Sequence, residues 1–372
     1  MKRDLARIAL IAAAYYGSAK FGLDLASTNS SVTAVWPPTG IALAALLLWG
    51  YRCWPGVALG ALLANVGTGV PVETVLGITL GNTLEALAGA YLLRRVAKLR
   101  TSLRRVRDVL ALVFLGAVVS TTVSATIGVT SVDLGGELHG SWGSAWRVWW
   151  LGDMTGDLLV APVLLLFVGH LADLRTRWRG RWLEAGILVL AVAGAAVLAF
   201  SLSVPMAYIV FPFLIWAALR FGPHGAAAAT LIVAGIAVEF TVHGSGPFVQ
   251  MAPDDSLLLS QSFMGVAAVT ALLLAAITAE REEAETKSDE ARRREALEIN
   301  DNIVQGLVVA QYALELDRRR HASDAIDRTL GEARAMIGQL VVGMPDDVLA
   351  RPGALRRRAA ADIASAEAEP PD

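Results

Sequence analysis

The sequence predicts an all-α protein: a polytopic membrane helix bundle of about ten spans, with eight as the alternative, followed by a cytoplasmic helical hairpin. Three observations lead there. The 372 residues are 55% hydrophobic and only 18% charged, against roughly a quarter charged in soluble domains. The charges are segregated: apolar runs fill the chain from Leu5 to Thr278, and from Glu280 onward more than a third of the residues are charged. Finally, the loops between the apolar runs alternate between those that carry Lys or Arg and those that carry neither.

The first apolar segment, 5–24, follows a basic start, as a signal peptide would. No cleavage site follows it and further apolar segments do, so it reads as a retained first span. The others are 34–50, 54–70, 73–93, 109–130, 146–169, 183–202, 205–220, 224–242 and 257–279. A crossing helix needs roughly 20 apolar residues, so the shorter members of the pairs 34–70 and 183–220 are what leave eight as the alternative. Three regions result: a membrane domain over 1–279, a hairpin over 280–342 and a disordered tail over 343–372.

Basic residues orient the bundle. Placing the N-terminus inside puts Lys2, Arg3 and Arg7, then Arg52, the cluster from Arg94 to Arg107, the run from Arg175 to Arg181, and Arg220 on the inner side. The opposite loops, 25–33, 70–72, 131–145, 202–204 and 243–256, contain no Lys or Arg. Short cytoplasmic loops collect these residues because they resist translocation. A multi-pass protein of the bacterial plasma membrane with both termini cytoplasmic is expected. Cys53 is the single cysteine, so there is no internal disulfide and no cysteine metal cluster.

Four carboxylates fall inside predicted spans: Glu85, Asp153, Asp157 and, nearer an outer end, Glu239. Intramembrane charges are costly and usually face the bundle interior or a cavity. Asp153 and Asp157 are four apart and share a helix face. At about 1.5 Å per residue, Asp153 lies roughly 10 Å below the outer surface, Asp157 about 6 Å deeper and Glu85 at about 20 Å. A shared site for an unknown small ligand, reached from outside, is one reading; carboxyl groups that hydrogen-bond between helices to fix packing are the other. Arg147 is a possible partner for either aspartate. Trp36-Pro37-Pro38-Thr39-Gly40 opens the second span, where proline in a first helical turn costs no hydrogen bond.

The runs "AVWPPTGIALAALLLWGYRCWPGVALGALLANV", "GNTLEALAGAYLLRR" and "WWLGDMTGDLLVAPVLLLF" resemble the membrane-associated sensor domain of the first type, abbreviated MASE, over roughly residues 10–280. The resemblance implies a bacterial integral membrane sensory module, of a kind usually fused to histidine kinases or cyclic-di-nucleotide enzymes. Trp36, Pro37, Asn65, Asn82, Glu85, Asp153 and Asp157 match its recurring aromatic and polar marks. Of these, Glu85, Asp153, Asp157, Asn82, Asn65 and Trp36 form the candidate ligand-binding set.

In the charged region, Ile299, Ile303, Leu307, Ala310 and Leu314 recur at helical spacing, as do Ile326, Leu330, Ala333, Ile337 and Leu340. A charged connection over 317–322 separates them, with Ser323 or Asp324 as the N-cap of the second helix. One hairpin buries both stripes poorly, whereas two copies form a four-helix bundle. A homodimer, or a heterodimer with a related sensor kinase, is therefore expected.

This hairpin resembles the dimerisation and phosphotransfer helices of histidine kinases of the nitrate- and hexose-phosphate-sensor class. Asp301 and Gln305 match that pattern, but Asn300 stands at the phosphoacceptor position. Phosphotransfer needs an imidazole lone pair assisted by a carboxylate; an amide nitrogen delocalises its lone pair into the carbonyl. His321 lies in the polar turn and is no substitute. Residues beyond Val342 are rich in Ala, Pro and charge, and no Gly-rich phosphate loop occurs. A non-catalytic sensor or adaptor in two-component-type signalling is expected, acting on a partner kinase or response regulator, with no cofactor and no nucleic-acid partner. The alternative is a small-solute or proton-coupled transporter.

Overall fold

The computed structural model describes residues 2–27, 35–170, 180–201, 206–249 and 253–341, and every element among them is helical. The predicted disordered tail lies outside the described residues. Eleven α-helices follow in order: α1 Lys2–Ser27, α2 Pro37–Trp49, α3 Trp54–Asn65, α4 Val72–Tyr91, α5 Val106–Ala111, α6 Thr121–Leu134, α7 Trp142–Gly169, α8 Trp182–Ser201, α9 Phe211–Val242, α10 Pro253–Glu315 and α11 Arg319–Val341. The π-wound stretch Leu112–Ser120 joins α5 to α6 as one rod. The chain divides into two units, Met1–Glu282 and Glu283–Asp372.

Local chemistry sets the breaks. Prolines in the first turns of α2 and α3 leave no backbone donor unsatisfied. Helix α9 breaks at Gly222, whose φ of 60° and ψ of −149° lie outside helical space, and Pro223 follows. The Ala217 carbonyl oxygen sits so close to Gly225 that a side chain there would strike it; eight residues along a straight helix are about 12 Å apart. The chain therefore folds back at Gly222, between the predicted segments 205–220 and 224–242.

Contacts fix relative directions in the first unit. Arg7 lies over the Trp49 ring while Tyr15 meets Thr39, so α1 and α2 are antiparallel. Ile8 meets Gly56 and Lys20 reaches Ala64, so α1 and α3 are parallel. Helices α4 and α6 are antiparallel, with Thr74 against Ser131 and Asn82 against Ser124. Helices α2 and α7 are parallel, with Trp36 at Gly152 and Leu48 at Gly169. These directions match the alternation inferred from the basic loops. Among the described residues, six helices are long and apolar enough to cross a membrane, and Pro37–Trp49 is a shorter apolar helix. Leu10, Leu59, Leu63, Leu80, Phe114, Leu190 and Val266 face outward, as a lipid environment requires.

The interior is built on small residues. Gly56 and Gly60 of α3 receive Ile11 and Tyr15 of α1, and Gly40 of α2 meets Gly156 of α7 backbone to backbone. Close approach of this kind drives helix association where lipid removes the hydrophobic difference.

In the second unit, α10 ends in a Schellman motif: Arg318 N–H bonds the Ala313 carbonyl, Asp317 N–H bonds the Leu314 carbonyl, and Asp317 has a φ of 53°. Helix α11 then starts at Arg319, so Ser323 and Asp324 lie inside it rather than capping it. The early closure leaves only a three-residue connection. Gly306, Ala310, Ala322, Ala325 and Thr329 form the contact between the two helices.

Gly156→Val places side-chain carbon against the Trp36 carbonyl and should lower stability by about 1–3 kcal/mol, as overpacking does. Gly194→Ala, where nothing lies within 4 Å, should instead stabilise by roughly 0.5–1 kcal/mol. Thermal unfolding of the detergent-purified protein reads both.

Candidate functional site

Five helical segments bring their polar residues together in the first unit. Helix α1 contributes Tyr15, α2 Thr39, α4 Asn82 and Glu85, the α5–α6 rod Ser120 and Ser124, and α7 Asp153 and Asp157. Tyr15, Asp153 and Asp157 are 1% exposed and Glu85 2%. The sequence places them there through small neighbours: Gly152 and Gly156 flank Asp153 on α7 and admit the first turn of α2.

That first turn forms the closest contacts. Trp36 N–H donates to the Gly152 carbonyl at 3.0 Å. The Thr39 hydroxyl donates to Asp153 Oδ1 at 2.8 Å. Beside it, Trp149 Nε1 donates to Ser124 Oγ at 3.2 Å, and Ser124 donates to Asn82 Oδ1 at 2.6 Å. Trp150 Nε1 donates to the Val118 carbonyl at 2.9 Å in the π-wound stretch. Windings of this type recur at functional sites.

Several buried oxygens accept nothing. Both carboxylate oxygens of Asp157, Glu85 Oε1, Asp153 Oδ2 and the Tyr15 hydroxyl have no hydrogen-bond partner. Trp36 and Asn82 lie beside the Tyr15 hydroxyl without closing a bond of acceptable geometry. Tyr15, Thr39, Leu43, Asn82, Glu85 and Asp157 surround a narrow gap.

No basic side chain among the described residues pairs with these acids; the ion pairs there, such as Arg220 with Glu184, involve other carboxylates. Arg147 is exposed rather than turned toward Asp153 or Asp157, and Lys20 bonds the Ala64 carbonyl. Burying carboxylates without hydrogen bonds or counter-charge is expensive. The arrangement is a set of convergent oxygen acceptors.

Of the candidate set, Trp36, Asn82, Glu85, Asp153 and Asp157 come together. Asn65 does not: it ends α3 and its amide donates to the Ala61 carbonyl at 2.9 Å. Glu239 is exposed beside His243, 3.3 Å away. Asn300, Asp301 and Gln305 are exposed on α10 in the second unit. Sequence reasoning missed Tyr15, Ser124 and Trp149. It also read Thr39 only as part of a helix start; its place directly after Trp36-Pro37-Pro38, in the first turn of α2, carried no further signal.

Thr39→Val keeps the shape but leaves Asp153 Oδ1 without its donor, and should destabilise by about 1–3 kcal/mol. Thr39→Ser, which restores the hydroxyl, should recover most of the loss in the same unfolding assay.

Comparisons with known proteins extend this geometry. The probable diguanylate cyclase DgcE of Escherichia coli (strain K12) is 28% identical over 211 residues, covering 54% of this chain and 18% of that protein. The chain thus corresponds to less than a fifth of that relative's length. No solved structure matches. The MASE1 family profile matches residues 7–282, a span that holds every member of the buried polar cluster. This integral membrane chain belongs to the MASE1 family of sensor domains.

Proposed function

We propose that the protein is a non-catalytic signalling sensor of the bacterial plasma membrane, with both termini cytoplasmic. Its input is the buried carboxylate cluster, and its output is protein binding by the helical hairpin. Helix α10 contains residues of both units and would be the element that carries the signal from one to the other.

The surface of the hairpin carries the output reading. The helix pair buries mainly small residues, while Leu297, Val304, Leu307, Val308, Tyr312 and Leu314 each expose about half of their surface or more. Ile326 and Leu330 on α11 are exposed as well. Apolar surface of this extent marks a protein contact. Positions 297, 300, 304, 307, 311 and 314 recur at alternating steps of three and four, the spacing of a coiled-coil seam. A second copy supplies the matching seam and completes a four-helix bundle; a related sensor kinase offers the same match.

Asn300 lies in this seam, and Asp301 and Gln305 are exposed one turn apart. An asparagine in a seam sets register without being a nucleophile. The hairpin therefore acts by binding a partner kinase or a response regulator.

Full-length protein cross-linked in native membranes should yield a dimer, together with a kinase or response regulator. Leu307→Asp should reduce dimer recovery at least tenfold, a loss of about 1.4 kcal/mol. Recovery of monomer alone from the wild type counts against the reading. Incubation with labelled ATP should leave the chain unlabelled; label on the purified chain defeats the non-catalytic assignment.

A further inference from the structure

We propose that the gap between Glu85 and Asp157 binds a small inorganic monovalent cation, of the class of sodium. This rests on the cluster being the sensor's input and names the ligand of that site.

The donor set points to a hard cation. The polar side-chain atoms of the residues lining the gap are all oxygens except the Asn82 amide nitrogen, and oxygen ligands select hard ions. Neutral oxygens surround the two carboxylates. The Thr39 proton is committed to Asp153 and the Ser120 proton to the Gly116 carbonyl, which leaves their lone pairs available. The Tyr15 hydroxyl, on a different helix from any of the acids, is fully buried and unpartnered beside the same gap. It is an independent sign that the cluster is built around something outside the chain.

Size and charge narrow the class. The gap is narrow and enclosed by side chains of α1, α2, α4, the α5–α6 rod and α7, which favours a bare ion over a bulky organic ammonium group. Among the described residues no three acidic, His or Cys side chains are grouped to enclose a metal ion. Divalent sites such as those for calcium gather several charged oxygens around the ion. One or two carboxylates with neutral oxygens suit a single positive charge. The titratable groups lining the gap are Tyr15 from α1, Glu85 from α4 and Asp157 from α7, with Asp153 one turn away on α7, and there is no Lys, Arg or His among them. The cation would bridge α1, α4 and α7.

The test uses full-length protein in detergent, with thermal unfolding measured in sodium chloride and in choline chloride at equal ionic strength. The wild type should unfold at a higher temperature in sodium, because a ligand that binds only the folded state stabilises it. Asp157→Asn and Glu85→Gln should abolish the difference, and Glu239→Gln, at an exposed carboxylate, should keep it. Tyr15→Phe, which removes one neutral oxygen, should raise the half-saturating sodium concentration several-fold and provides the test if the carboxyl variants do not fold. Equal unfolding of the wild type in both salts overturns the proposal. So does a sodium effect that survives in Asp157→Asn, or a response of the cluster to pH with none to sodium. If Asp157→Asn alters partner recovery while the salts act alike, the input reading stands and only the ion falls. The readout is a difference between two salts and the substitutions lie in the first unit, so the dimer result is a separate test.

Discussion

The first unit depends on the docking of the first turn of α2 against the middle of α7. Pro37 and Pro38 remove two backbone donors from that turn and fix its direction. Trp36 N–H then bonds Gly152, Thr39 bonds Asp153, and Gly40 and Gly156 allow the backbones to meet. No side chain larger than hydrogen fits at the crossing. One constraint therefore sets both the helix packing and the position of Asp153, and with it the wall of the acidic cluster.

The cluster then runs against the ordinary economy of a membrane interior. Lipid-embedded helices gain little from burying apolar surface and associate through close packing and interhelical hydrogen bonds. Here the packing is tight, but the polar groups at its centre are only partly satisfied. Ser124, Asn82 and Trp149 form a closed chain of donors and acceptors, while Glu85, Asp157 and Tyr15 beside them do not. A purely architectural network would satisfy its members, because unpaired buried polar groups destabilise. The division into a satisfied half and an unsatisfied half is what supports the proposed site.

The second unit shows the opposite imbalance. Its helix pair meets through Gly306, alanines and Thr329, which brings the helices close and buries little large apolar surface. The large residues of the same helices remain outside. A short connection closed by Asp317 in the left-handed region makes that close pairing possible. That exposed apolar surface is what the proposed partner would cover.

The sequence by itself determined the helical class, the apolar segments and the relative directions of the paired helices among α1, α2, α3, α4, α6 and α7, because apolar run length and the distribution of Lys and Arg are local properties. Even the fold-back at Gly222 was legible, as a boundary between two apolar runs. It also singled out Glu85, Asp153 and Asp157, since charge within an apolar run is conspicuous. Only the tertiary structure decided which of the marked residues meet: Asn65 stays on its own helix, Arg147 stays outside, and Tyr15, Thr39 and Ser124 join the acids. Those three are ordinary residues in apolar helices, and their roles arise from neighbours 24 to 142 positions away in the chain. The faces of the hairpin divided in the same way. Periodicity marked both stripes, but the glycine and alanines that pair the two helices have too little surface to show in a hydrophobic pattern.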